Sequence, residues 1–209
     1  MGTCIIFCAG EFHGLIGPIN KDDFVIAADG GLAHVESLGI TANGILGDFD
    51  SLGYTPEGST VFPVEKDDTD AMLAVRKGLE LGYQAFYLYG SLDGPRLDHT
   101  VANFQTLQFL CDHGAFGYLI GRDYMVTAVK NGAVRFPASC TGIFSVFCMG
   151  SDAEGVTIRG GKYGAENVTL SAGFPLGVSN HFEGREVTIC VENGSLLILW
   201  DTVNGLPER

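Results

Sequence analysis

Positive charge is scarce in this chain: 12 Lys and Arg stand against 25 Asp and Glu, a formal net charge of -13. Binding along a nucleic-acid backbone needs clustered cations that release counterions, and with no basic run or patch present, no nucleic-acid partner is expected. Cys4, Cys8, Cys111, Cys140, Cys148 and Cys190 include no C-x-x-C pair and lack the dense spacing of a secreted scaffold. They are expected as reduced thiols in the cytoplasm. No segment approaches the ~20 apolar residues of a membrane span. The apolar stretch from Cys4 to Ala9 is too short for a signal peptide and has no basic leader. The expectation is a soluble, untargeted, cytoplasmic protein with no membrane association. A Pro/Ser-rich linker, internal repeats and low-complexity segments are also missing. His13, His34, His113 and His181 lack metal-ligand spacing and are expected to be structural or at the surface. No Ser–His or Cys–His nucleophile arrangement is recognisable.

What is present is a chain of 209 residues, 46% of them apolar, enough to bury the core of one large domain or two small ones. Thr3 to Ala9 is a continuous apolar run closed by Gly10, as expected of a strand buried on both faces of a parallel sheet. Phe24 to Ala28 repeats it and ends in Asp29-Gly30-Gly31, after which Leu32, Val35, Glu36 and Leu38 predict a helix stopped by Gly39. Gly44 to Leu46, Val61 to Val64 and Gln84 to Tyr89 add strands. Thr69 is a candidate N-cap for a helix from Asp70 to near Gly82. A longer helix is predicted over Leu97 to His113, with Leu97, Val101, Phe104, Leu107 and Leu110 on one stripe. Strands alternating with helices predict an open, Rossmann-like α/β sheet over residues 1–121.

From Tyr124 onward the helical period disappears. Short Val-, Ile-, Phe- and Thr-rich runs cut by glycine, at Met125–Val129, Ile143–Phe147, Val156–Ile158, Val168–Leu170, Val187–Val191 and Leu196–Trp200, predict an all-β sandwich or barrel over residues 122–209.

Acidic residues recur at or just after the predicted strand ends: Asp29; Asp48 and Asp50; Asp67, Asp68 and Asp70; Asp93 and Asp98. In an open α/β sheet ligands bind beyond the carboxyl ends of the strands, so these turns can converge on one crevice. In an extended Gly47-Asp48-Phe49-Asp50-Ser51, Asp48 and Asp50 would point the same way. Two convergent carboxylates suit a hard cation such as Mg²⁺, which takes oxygen ligands and leaves other positions to water and phosphate. The alternative is a polar turn after a strand. Asp70 could equally serve the dipole of the helix it begins. In Gly90-Ser91-Leu92-Asp93-Gly94-Pro95-Arg96-Leu97-Asp98-His99, a turn meets a helix N-terminus beside an arginine able to grip phosphate with two donors. Arg96 could instead form a surface ion pair with Asp93 or Asp98. An acidic chain handling phosphate must neutralise it locally, whereas a cationic second substrate is favoured by the overall field.

Taken in order, Asp29-Gly30-Gly31, Gly47-Asp48-Phe49-Asp50-Ser51, Lys66-Asp67-Asp68-Thr69-Asp70, Arg96-Leu97-Asp98-His99-Thr100-Val101-Ala102-Asn103, Gly161-Lys162-Tyr163 and Gly177-Val178-Ser179-Asn180 resemble thiamine pyrophosphokinase, also called thiamine diphosphokinase. The resemblance spans nearly the whole chain. It implies an N-terminal α/β domain that binds ATP, a C-terminal β domain that helps form the thiamine pocket, and a homodimer with sites built between subunits. It also implies the reaction, in which thiamine and ATP give thiamine diphosphate and AMP. By motif, Asp48, Asp50 and Asp70 would carry Mg²⁺ with Asp29 close by, Arg96, Asp98 and His99 would serve the nucleotide or metal shell, and Ser179 and Asn180 would border thiamine. Where that family writes Gly-Gly-Arg, this chain writes Gly94-Pro95-Arg96, and proline removes one backbone N–H donor. Phosphoryl transfer rests on positioning and charge neutralisation. Asp98 or a metal-cluster aspartate could take the hydroxyl proton. Trp200, the sole tryptophan, has two readings: a stacking face for a cationic thiazolium ring, or a core aromatic.

Overall fold

The computed structural model describes residues 2–49, 54–61 and 67–209, and the chain divides into two compact units, 1–122 and 123–209. In the first unit, β1 (Cys4–Phe7), β2 (Phe24–Ala28), α1 (Leu32–Ser37), β3 (Gly44–Gly47), β4 (Thr60–Val61), α2 (Asp70–Glu80), β5 (Ala85–Tyr89), α3 (Leu97–Asp112) and β6 (Phe116–Ile120) follow one another. Every strand pair here is parallel, in the order β6-β5-β1-β2-β3-β4. The chain builds outward from β1 to β4, then returns to lay β5 against the other side of β1, so the order reverses between β1 and β5. Beyond the carboxyl ends of such a pair, the outgoing turns diverge and leave a crevice.

The continuous apolar runs are buried as read: Cys4, Ile6 and Phe7 of β1, Ile26 and Ala27 of β2, and Phe86 and Leu88 of β5 have no exposed surface. β6 was not anticipated, because Phe116-Gly117-Tyr118 follows a helix stop at Gly114 too closely to stand out as a separate run. The expected strand over Val61 to Val64 begins at Thr60–Val61, and its remainder lies outside the described residues.

The predicted apolar stripe of α3 needs correction. Leu97 is 75% and Val101 50% exposed, while the buried positions are Asn103, Thr106, Leu107 and Leu110. The i, i+3, i+4 pattern holds, but its inward face begins at Asn103, whose side-chain amide donates to Ser91 O at 2.8 Å. A polar anchor rather than an apolar contact seats the first half of the helix.

The second unit is all-β: β7 (Tyr124–Lys130), β8 (Ala133–Phe136), β9 (Ile143–Cys148), β10 (Ala153–Arg159), β11 (Ala165–Leu170), β12 (Asn180–His181), β13 (Val187–Cys190) and β14 (Ser195–Asp201). They form antiparallel sheets in the orders β12-β9-β14-β7 and β11-β10-β13-β8. Phe136 of one sheet meets Trp200 of the other edge-on, centroids 5.2 Å apart, and Phe182 packs on both Phe136 and Phe144. Mixed parallel α/β followed by antiparallel β is the expected fold class. Among the described residues, no helix is long and apolar enough to cross a membrane.

Candidate active site

Beyond the β1/β5 reversal point lies a crevice of about 590 Å³. β1 runs out into Cys8, Ala9 and Gly10, β2 into Ala28 and Asp29, and β3 into Asp48. Asp68 to Ala71 come from the start of α2, Gly90, Ser91 and Gly94 to Arg96 from the turn after β5, and His99, Thr100 and Asn103 from α3. Four aspartates from three separate turns, Asp29, Asp48, Asp68 and Asp70, therefore line one space.

Each is held by local geometry. Asp29 is buried in a left-handed backbone (φ 49°), an uncommon conformation that Asp tolerates better than most. It opens a short 3-10 turn over Asp29–Gly31. Asp68 is paired with Arg76 at 3.0 Å, one helical turn and a half into α2, and the Arg76 guanidinium also lies 5.1 Å over the Phe109 ring. Asp70 starts α2, whose N-cap Thr69 accepts from Met72 N–H at 3.2 Å. The capping function falls to Thr69, so Asp70 adds charge at a helix start already capped.

The extended backbone assumed between Asp48 and Asp50 is corrected: Phe49 is buried and left-handed, with φ 59°. The same-side rule of a strand does not apply across it. Asp50 and Ser51 lie outside the described residues, and so does Lys66.

Arg96 and Asp98 pair with each other. Arg96 Nη2 donates to Asp98 Oδ2 at 2.6 Å and Nε to Oδ1 at 3.2 Å, and Asp98 Oδ1 also accepts His99 N–H at 3.0 Å. The guanidinium hydrogen bond, followed by the His99 N–H, holds the Asp98 carboxyl below its ordinary range. Both side chains are nearly two-thirds exposed. Arg96 and His99 face the crevice, whereas Asp98 is not part of its wall. Asp93, the other candidate partner of Arg96, is engaged elsewhere.

The crevice floor includes Cys8, whose thiol is pushed up to about 12 by burial and then by the nearby charge of Asp70. A protonated thiol is a poor metal ligand. The anionic part of the wall is carboxylate oxygen, the donor type Mg²⁺ prefers, and that ion needs only one or two protein carboxylates when a phosphate substrate supplies the rest. No group of three or more His, Cys, Asp or Glu side chains among the described residues is close enough to hold a metal, while Asp48 and Asp70 supply two carboxylates to the same crevice. The donor set fits the ion.

Ser91, Thr100 and Asn103 stand inside the quoted motifs, but the sequence assigns them no individual role; the structure puts all three in the crevice wall. Ser91 Oγ donates to Leu88 O at 2.7 Å and Thr100 Oγ1 to Leu92 O at 3.3 Å. Small hydroxyl and amide side chains right after a strand and along the next helix were the available signal.

In the second unit a cavity of about 150 Å³ is lined by Val146 to Cys148 and by Leu170 to Gly177. Ser179, exposed and left-handed at φ 59°, follows that loop and donates its N–H to Ser145 Oγ at 3.0 Å. Asn180 is buried. Its side chain closes a two-way link with the Tyr163 backbone, 2.7 and 3.0 Å, so Gly161-Lys162-Tyr163 and Ser179-Asn180 are brought together. Trp200 takes the core role: it is 1% exposed and donates Nε1–H to Gly205 O at 2.8 Å. The stacking reading of Trp200 is therefore corrected, since no ring face is open to a ligand.

A parallel sheet with a carboxylate-lined crevice and a helix start at its reversal point defines an α/β protein of the kind that takes its ligand beyond the carboxyl ends of its strands. Residues 18–115 match the family model "Thiamin pyrophosphokinase, catalytic domain", and residues 134–196 match "Thiamin pyrophosphokinase, vitamin B1 binding domain". The chain belongs to the thiamin pyrophosphokinase family, and is an enzyme of the thiamine diphosphokinase class. Among solved structures, thiamine pyrophosphokinase from Bacillus subtilis superposes with TM-score 0.84 at 24% identity, over 94% of this chain and 97% of that one. Thiamin pyrophosphokinase from Candida albicans gives 0.76 at 16% identity, over 96% and 88%. The yeast enzyme gives 0.71 at 16%, over 98% and 87%. At these identities the likeness carries the fold. Comparison with curated proteins by sequence finds no match.

Proposed function

We propose that this enzyme transfers the diphosphate group of ATP to the hydroxyl of thiamine, giving thiamine diphosphate and AMP, with Mg²⁺ required. The observation that carries the reading is the convergence of Asp29, Asp48 and Asp70, together with Arg96 and His99, on the crevice at the β1/β5 reversal point. Residues 1–121 would bind ATP and residues 122–209 thiamine. We further propose a homodimer with sites completed between subunits, located in the cytoplasm, in keeping with six cysteines present as thiols.

In the reaction the thiamine hydroxyl oxygen forms a bond to the β-phosphorus, and the bond from that phosphorus to the oxygen of the α-phosphate breaks, releasing AMP. Asp48 and Asp70, together with Asp50, would hold Mg²⁺, which when bound supplies charge neutralisation to the phosphate oxygens. Arg96 turns its guanidinium from Asp98 toward a phosphate entering the crevice, exchanging one anionic partner for another. Asp98, once released, is a carboxylate able to receive the hydroxyl proton, a role open also to a metal-cluster aspartate. The strongly negative chain favours approach of the cationic thiazolium and opposes that of ATP, which makes local neutralisation by Mg²⁺ and Arg96 necessary. Ser179 and Asn180 would border the thiamine.

Incubation with ATP, Mg²⁺ and thiamine, followed by identification of the nucleotide product, tests the reading. AMP with thiamine diphosphate is expected. ADP would make the protein a monophosphate kinase, with other heterocyclic alcohols the next substrates to assay, and no turnover with retained binding would leave a nucleotide or thiamine diphosphate binder.

A further inference from the structure

We propose that Asp93 is a positioning residue for the nucleotide wall of the crevice, acting through the turn that carries Arg96 rather than on the ligand; this rests on the reading of the crevice as the ATP site. By sequence Asp93 belongs with the strand-end acids, but it is absent from the crevice wall. Its Oδ2 accepts the Arg122 backbone N–H at 2.6 Å and lies 3.4 Å from His13 Nε2, while its own carbonyl accepts Glu11 N–H at 3.1 Å. Arg122 Nε donates to His13 Nδ1 at 3.4 Å, and Arg122 Nη2 to Glu11 Oε2 at 3.2 Å. An arginine can only donate, so Nδ1 of a neutral His13 accepts and the ring proton sits on Nε2, the nitrogen that faces Asp93. One carboxylate thereby ties together the turns that follow β1, β5 and β6.

Those turns need a tie. At the reversal point they touch backbone to backbone: Gly10 N–H donates to Gly90 O at 3.0 Å, and a Cβ on Gly10 would come within 2.5 Å of that same oxygen. Gly90 has φ 63°, and a Cβ there would meet Cys8 O at 2.5 Å. The contact therefore excludes side chains, and glycine offers no stiffness of its own. One end of the turn is moored where Asn103 donates to Ser91 O. The other end is moored by Asp93, and Gly94, Pro95 and Arg96, which line the crevice, come next. Arg122 and Glu11 are each more than 60% exposed, so their outer ion pair adds little. The charge-assisted bond from the Arg122 main chain to Asp93 is the stronger part.

The test compares D93A, D93N and R122A by KM for each substrate, and by hydrogen exchange across residues 90–96 without ligands. D93A is expected to raise KM for ATP about tenfold, the scale of one charge-assisted hydrogen bond, with KM for thiamine within about twofold and the melting curve that of a folded protein. D93N keeps an oxygen to accept the Arg122 N–H and R122A keeps the main-chain donor, so both are expected within about threefold of wild type. Exchange over residues 90–96 should speed about tenfold in D93A alone. Equal losses in D93N and D93A would mean that the charge acts on the metal or phosphate directly, and overturn the proposal. So would an unchanged KM for ATP, unaltered exchange in D93A, or a D93A chain that does not fold. If the wild type produces no AMP, the proposed function fails, and the exchange experiment still judges the clasp by itself.

Discussion

Asp48 and Asp70 reach one crevice from the end of β3 and the start of α2, and the cation reading makes a definite demand on each. Asp48→Asn and Asp70→Asn remove charge and keep shape, so kcat should fall by about 100-fold or more while the circular-dichroism melt stays within a few degrees. The Asp70 variant also gives up about 0.3–1 kcal/mol of dipole stabilisation, which limits its melting shift to roughly 4 °C for a chain of this size. Asp50→Asn is expected to behave like Asp48→Asn. Near-wild-type turnover with an unchanged melt in any of the three would sink its metal assignment. Asp98, by contrast, is legible both as an acid and as one of two possible partners for Arg96. The two-residue spacing to Arg96 allows both a phosphate grip and an ion pair, and only the side-chain geometry shows the pair formed.

At the level of elements, helix α2 is placed by its cap and by the turn before it. Thr69→Ala removes the acceptor for Met72 N–H and should cost about 1 kcal/mol, read as a melting shift of roughly 2–4 °C. Because Asp70 is the next residue, turnover should fall by more than stability alone explains. An effect confined to the melting temperature would separate the cap from the site. The Asp29–Gly31 turn is under a harder constraint: a Cβ on Gly31 would lie 1.9 Å from Phe7 O, on the backbone of the buried β1. Gly31→Ala should therefore destabilise by about 3 kcal/mol or more. A chemical-denaturation midpoint equal to wild type would show that β1 can yield. The strands and helices themselves were largely readable, since β1, β2 and β5 are unbroken apolar runs between glycines. The inward face of α3 was not, because its apolar period is shared by exposed Leu97 and Val101 and the deciding contact is the polar bond from Asn103 to Ser91.

Considered whole, the molecule buries acids that ordinarily titrate in mild alkali. Cys4 and Cys8 are pushed from 9.0 to about 12 by burial, and Tyr89 from 10.0 to about 12 by burial, opposed by its hydrogen bond from Ile16. The unfolded thiols ionise near 9 while the folded ones keep their protons. Stability is thus complete below pH 9 and is lost progressively as pH rises toward 12. Urea midpoints measured from pH 8 to 10.5 should fall, and fall less steeply in Cys8→Ala. Identical slopes would argue that Cys8 is not protected. Subunit association is tested at the same scale. Analytical ultracentrifugation should find dimer at assay concentration, and a fully active monomer would rule out a site completed between subunits.

The sequence by itself determined the alternation of buried strands with helices up to about residue 120, the all-β character beyond it, and the ordered motifs of the family, because apolar periodicity and glycine stops are local properties of the chain. It could also nominate the strand-end aspartates, since parallel topology sends those ends to one side of the sheet. Tertiary structure alone decided how they divide. Asp29, Asp48, Asp68 and Asp70 face the crevice, Asp98 pairs with Arg96 at its rim, and Asp93 binds Arg122 behind it. All are carboxylates at or just after strand ends in sequence. What distinguishes them is which donor the fold brings within hydrogen-bond reach, and the donor for Asp93 lies 29 residues away.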